Sequence, residues 1–131
     1  MSWNANDMRT PLKRARNWGS AKDGTNHFIW QRVTAVIVAL TGLWLLVSLL
    51  TLGTSEYAYM RAFVADPINA AVLMLFLIAM FWHAKLGLQV VIEDYVHKPL
   101  NSAVLQVATI LICALAAIAS VLAVLRIALG S

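Results

Sequence analysis

The stretch VTAVIVALTGLWLLVSLLTL, Val33–Leu52, contains no charged residue. About 20 apolar residues are what a helix needs to cross about 30 Å of hydrocarbon. Backbone N–H and C=O groups in lipid have no water to bond, so the segment must pair them internally, as a helix does. Two further stretches read the same way. Ala103–Leu125 carries no charge until Arg126. The other begins after Asp66-Pro67, is uncharged from Pro67 to Trp82, and continues past His83 and Lys85 to about Ile92. Pro67 suits the first turn of a helix, where its missing N–H costs nothing.

Composition agrees. Of 131 residues, 61% are hydrophobic and 12% are charged, against about half and about a quarter in ordinary soluble domains. The expected fold is all-α: an integral membrane protein with three transmembrane helices in a single domain, 1–131. Its parts are a polar basic tail over 1–27 and spans over about 28–52, 67–92 and 103–126. The chain is too short to hold a large soluble catalytic core beside them. The first 27 residues are polar and the apolar run that follows is long, so the N-terminus does not read as a signal peptide.

Basic residues set the expected orientation, because they gather on the cytoplasmic side of spans. Arg9, Lys13, Arg14, Arg16, Lys22 and Arg32 precede or open the first span, and Lys98 lies in the link between the second and third. The opposite side has Arg61 and Arg126. The N-terminus is therefore expected in the cytoplasm and the C-terminus in the periplasm. The same rule accounts for the net charge of +4 without nucleic acid. Gly53–Asp66 reads as an exposed loop, and Asn4–Ala21 as partly disordered or laid on a partner. Cys113, the single cysteine, has no disulfide or metal partner and reads as a packing residue.

Ionisable residues inside a span are costly, which makes them functional candidates. His83 lies eleven residues before Asp94, about 16 Å along the helix and near mid-bilayer. A neutral histidine there either bonds a neighbouring helix or ligates haem iron, a role the imidazole fills well. Gly87 shares its face at i+4, leaving either room for a flat macrocycle or a close helix contact. His27 and His97 lie near or beyond the span ends, so a second axial ligand would come from another chain. Lys85 points to a different face, where its stem can snorkel toward the interface or its charge can serve an acidic group or a proton path. Glu93, Asp94 and Tyr95 close the span, as an interfacial belt or as a ligand site. Arg32 opens the first span as an anchor or a carboxylate partner, with His27 and Gln31 one turn apart beside it.

Two segments carry a family resemblance. HAKLGLQVVIEDYVHKPL resembles the second-helix signature of the small membrane-anchor subunit of succinate dehydrogenase (complex II). That signature is a His, a Gly four residues on, and an Asp-Tyr pair eleven and twelve residues after the His. His83, Gly87, Asp94 and Tyr95 stand at those spacings. GTNHFIWQRVTA, Gly24 to Ala35, is similar to the same subunit's first-helix entry.

The resemblance implies that His83 is one axial ligand of a haem b, with the other from a sister cytochrome b anchor subunit. It implies that Gly87 clears the haem, Arg32 faces a propionate, Tyr95 bonds a ubiquinone carbonyl, and Asp94 lies close by for proton supply. The partners it implies are that sister anchor, an iron–sulfur subunit and a flavoprotein, in a membrane lipid setting. This chain would perform no succinate chemistry itself. It would help pass electrons from succinate to quinone in the tricarboxylic acid cycle and respiratory chain. The expected location is a bacterial inner membrane rather than a mitochondrial one. Two rival readings stay open: an anchor of a fumarate reductase, and a small membrane protein of transport or assembly with no redox role. Lys85 matches no position of the signature.

Overall fold

The computed structural model describes residues 21–53 and 56–130. Four helices occupy nearly all of them: α1 (Ala21–Leu52), α2 (Tyr57–Ala65), α3 (Pro67–Tyr95) and α4 (Pro99–Ala128). Among the described residues there is no strand. Three of the helices, α1, α3 and α4, are long and apolar enough to cross a membrane. The all-α, three-span expectation is met. The basic residues Arg9, Lys13, Arg14 and Arg16, and Asn4–Ser20 as a whole, lie outside the described residues.

Burial along the sequence shows how the helices pack. In α1 the less exposed positions include His27, Gln31, Thr34, Val38, Thr41, Leu45 and Ser48. They alternate steps of four and three, which is one helix face. In α4 the stripe runs through Ser102, Gln106, Thr109, Cys113, Ala116 and Ser120 in the same rhythm. Helix α3 has half-buried residues on two faces, because it is central: α1 packs on one side and α4 on the other. Small residues permit the close approach. Ala70 and Ala79 are buried in α3, and Phe76 comes within 3.4 Å of where a Cβ on Gly42 would lie. Thr34, Thr41 and Ser48 bond back to carbonyls one turn earlier in α1, which satisfies their hydroxyls in an apolar seam.

The helix ends differ from the expected spans. Helix α1 already covers Ala21, ahead of the span expected from about residue 28, α3 runs on to Tyr95, and α4 starts at Pro99. Apolar composition marks the hydrocarbon layer, whereas a helix continues as long as its backbone bonds do. At 32 residues, α1 is about 48 Å long and must project beyond a core of about 30 Å.

The link expected as an exposed loop also contains a helix. Residues Tyr57–Ala65 form α2, whose Phe63 stacks on Trp44 of α1 with ring centroids 5.8 Å apart. Asp66 then caps α3: its carboxylate accepts from the backbone N–H of Ile68 and of Asn69 at 3.1 and 3.0 Å, with Pro67 in the first turn.

Candidate functional site

The polar contact that joins α1 to α3 is made by His83. Its Nδ1 lies 3.0 Å from Thr34 Oγ1. Thr34 is 5% exposed, the one polar residue that is buried among the described residues. The Thr34 hydroxyl also lies 2.7 Å from the Trp30 carbonyl oxygen and 3.2 Å from that of Gln31. Two oxygens at 2.7 Å need a proton between them, and a hydroxyl has only one to give. Thr34 therefore donates to Trp30, and its oxygen accepts from His83 Nδ1–H. This network assigns a proton to Nδ1, so in the neutral ring the lone pair lies on Nε2, the form in which an imidazole binds a metal. Trp30 and Trp82 flank the contact with centroids 6.1 Å apart.

Gly87 lies one turn from His83 on α3. A Cβ placed there would meet nothing within 4 Å. No side chain of this chain fills that space, whereas at Gly42 the Phe76 ring stands 3.4 Å from where the Cβ would lie. A ring nitrogen with its lone pair free and an open surface one turn away fit a flat iron macrocycle. Among the described residues no group of three or more His, Cys, Asp or Glu side chains is placed to hold a metal ion. A haem iron needs only one such ligand from this chain if a second chain supplies the other.

Helices α1 and α3 are antiparallel, because Gly42 faces Phe76 where Thr34 faces His83. Residues before Thr34 thus run beside residues after His83, toward Asp94. Helix α1 starts early enough to put His27 and Gln31 on the seam. His27 Nε2 and Gln31 Oε1 are buried there without a hydrogen-bond partner. Buried polar atoms usually have partners, so this end of the seam is chemically incomplete in the isolated chain. Arg32 is exposed, its guanidinium 5.2 Å from the Phe28 ring centroid. Asp94 and Tyr95 are exposed at the end of α3, Tyr95 at 79%. His83 and the Asp94–Tyr95 pair thus occupy two heights of one helix.

Lys85 turns to the opposite side. Its Nζ donates to Gln89 Oε1 at 3.3 Å, and Gln89 Nε2 donates to Glu93 Oε1 at 2.9 Å. Each step is one helical turn, so the cation is tied to a ladder that climbs toward the helix end. It borders an apolar groove of about 300 Å³ between α3 and α4, walled by Trp82, Ile110, Cys113 and neighbours. This is the snorkelling arrangement. His97 lies exposed in the tight link to α4.

Sequence reasoning found His83 and Gly87 by spacing but assigned Thr34 no role. The signals were its place in the first-helix segment GTNHFIWQRVTA and a hydroxyl seven positions after His27 on the same face.

Fold and site together define a class: a protein of three membrane-spanning helices whose central helix carries a tethered imidazole near the middle of its length. Residues 6–123 match the family described as succinate dehydrogenase/fumarate reductase transmembrane subunit, and the chain belongs to that family. A succinate dehydrogenase hydrophobic membrane anchor subunit from Rickettsia bellii is 42% identical over 90 residues, 69% of this chain and 72% of that relative. Its counterpart from Rickettsia prowazekii is 32% identical over 120 residues, 90% and 94% of the two chains. One from Paracoccus denitrificans is 32% identical over 123 residues, 93% and 94% of the two chains. This chain is a multi-pass protein of a bacterial inner membrane. A non-redox transport or assembly role is at odds with this family.

Proposed function

We propose that this chain, a hydrophobic membrane anchor of succinate dehydrogenase, serves haem b and quinone at two heights of α3. The observation that carries the reading is the His83 ring held through Nδ1 by Thr34 beside the open surface at Gly87. His83 Nε2 would hold the haem iron from this chain, with a second ligand from a sister cytochrome b anchor. Gly87 leaves clearance for the ring, and Arg32 is the cation for a propionate. Bound there, haem b supplies a one-electron carrier, its potential set by axial ligation and burial.

Quinone binds near Asp94 and Tyr95. The Tyr95 hydroxyl donates to a quinone carbonyl and stabilises negative charge that develops as electrons arrive. Asp94, beside it in sequence, holds or passes a proton to the reduced oxygen. The high exposure of Tyr95 suits a site that neighbouring subunits complete. An iron–sulfur subunit docks on this side and brings electrons from a flavoprotein that oxidises succinate, and ubiquinone is the acceptor. The basic N-terminal side is cytoplasmic and the C-terminus periplasmic, following the distribution of Lys and Arg.

Tyr95→Phe tests the quinone role. It is expected to lower succinate:quinone turnover about tenfold, the worth of one hydrogen bond of about 1.4 kcal/mol. Succinate oxidation by an artificial acceptor at the flavoprotein and haem content should both stay unchanged. Normal quinone turnover in that variant would remove Tyr95 from the site.

A further inference from the structure

We propose that Thr34 is a positioning residue for the haem ligand: by accepting from Nδ1–H it holds His83 in the tautomer whose Nε2 binds iron. The inference rests on the reading of His83 as an axial ligand and adds a second residue of this chain to the haem site. Three observations carry it. Thr34 is 5% exposed, so its hydroxyl is withdrawn from water and must be satisfied locally. Its proton is committed to the Trp30 carbonyl at 2.7 Å, so its oxygen faces His83 as an acceptor. The two residues are 49 positions apart in sequence and 3.0 Å apart in space, so the bond also sets the ring's orientation against α1.

The second partner of a ligating histidine does more than hold it. A hydrogen bond accepted from Nδ1–H pushes electron density onto Nε2 and strengthens it as a donor. A stronger donor favours the more highly charged iron, so Thr34 lowers the haem's reduction potential. Without it, Nδ1–H loses the acceptor that holds it, the ring is free to change tautomer or rotate, and the iron is held less firmly.

The test is Thr34→Val, which keeps the shape and removes the oxygen, with Thr34→Ala as a smaller second variant and Thr34→Ser to restore the acceptor. Each is purified as the assembled complex through its partner subunits. Haem per flavin is measured, haem loss to a competing apoprotein is timed, and the potential is found by redox titration. In the valine and alanine variants haem should dissociate roughly tenfold or more faster, the scale of a lost outer partner. The potential of the haem retained should rise, and the serine variant should return both toward wild type. If either oxygen-free variant assembles with wild-type potential and haem loss, the inference is wrong. A variant that assembles poorly but keeps the wild-type potential shows a packing role only, which also overturns it. His83→Ala, run alongside, separates the two claims. If it keeps normal haem, the ligation reading fails and this inference with it. If it loses haem while the Thr34 variants behave as wild type, only the Thr34 assignment fails.

Discussion

His83 and Lys85 are two residues apart on α3 and face different helices. A step of two residues turns about 200° around a helix, so His83 meets Thr34 on α1 while Lys85 joins Gln89 beside α4. The spacing of His83 to Gly87 was legible because both lie on one helix, where i and i+4 always share a face. The role of Thr34 was not. A threonine in an apolar run says nothing until the register of the opposing helix is known, and no local pattern encodes that register. The ladder under Lys85 was half legible: Gln89 and Glu93 follow at four-residue steps, but only the structure shows their side chains joined. Gly87 supplies a residue-scale expectation. Open space around it means that Gly87→Leu should leave assembly with the partners intact while cutting haem per complex severalfold. Haem and flavin assayed on one preparation check this. Full haem in the leucine variant would place the macrocycle elsewhere.

Helix α1 shows what a sequence reveals of an element and what it hides. Its apolar run was plain, but the run did not show how far the helix extends before it, because AKDGTN is polar enough to lie outside lipid and still be helical. Those earlier turns matter, since they bring His27 onto the seam with α3, one turn before Gln31. Pro99 was a missed start signal for α4: a proline at the first helical position is favourable. Helix α2 was hidden because Glu56 and Arg61 made the link look like a plain loop, and nine residues are too few for a strong periodic pattern. The α1–α3 pair is the element that sets the His83–Thr34 distance, and Gly42 lies in it against the Phe76 ring. A single Cβ there makes ordinary contact with Phe76 at 3.4 Å, so Gly42→Ala should be tolerated. Gly42→Ile should force the helices apart, costing about 1–3 kcal/mol as overpacking does. Thermal unfolding of the purified complex reads this as a lower midpoint for isoleucine only.

Taken whole, the molecule has little interior of its own. Among the described residues only Ala70, Ala79, Leu86, Ile92 and Val124 are buried hydrophobics, while Leu, Ile and Val side chains cover the outside of all three long helices. Such a surface is stable only against lipid or other apolar helices. An anchor subunit has both. In the proposed function, the unpartnered polar atoms of His27 and Gln31 and the exposed Tyr95 follow the same logic, as parts of sites that a second chain completes. Sequence showed the class of surface but not which face a partner covers, because lipid and a neighbouring helix select the same apolar residues. Orientation belongs to this scale as well. An alkaline phosphatase fused after Ser131 should be active, since it folds only in the periplasm, and one fused after Lys98 should be inactive. The reverse pattern would invert the proposed placement of quinone relative to the cytoplasm.

The central claim is that His83 holds haem at mid-depth of α3. It is tested most directly by the reduced-minus-oxidised absorption spectrum of the complex purified through this chain, in wild type and in His83→Ala. The wild-type complex should show a b-type band, and the alanine variant should lose most of it while its flavin remains. No band in the wild type, or an undiminished band in the variant, would contradict the account.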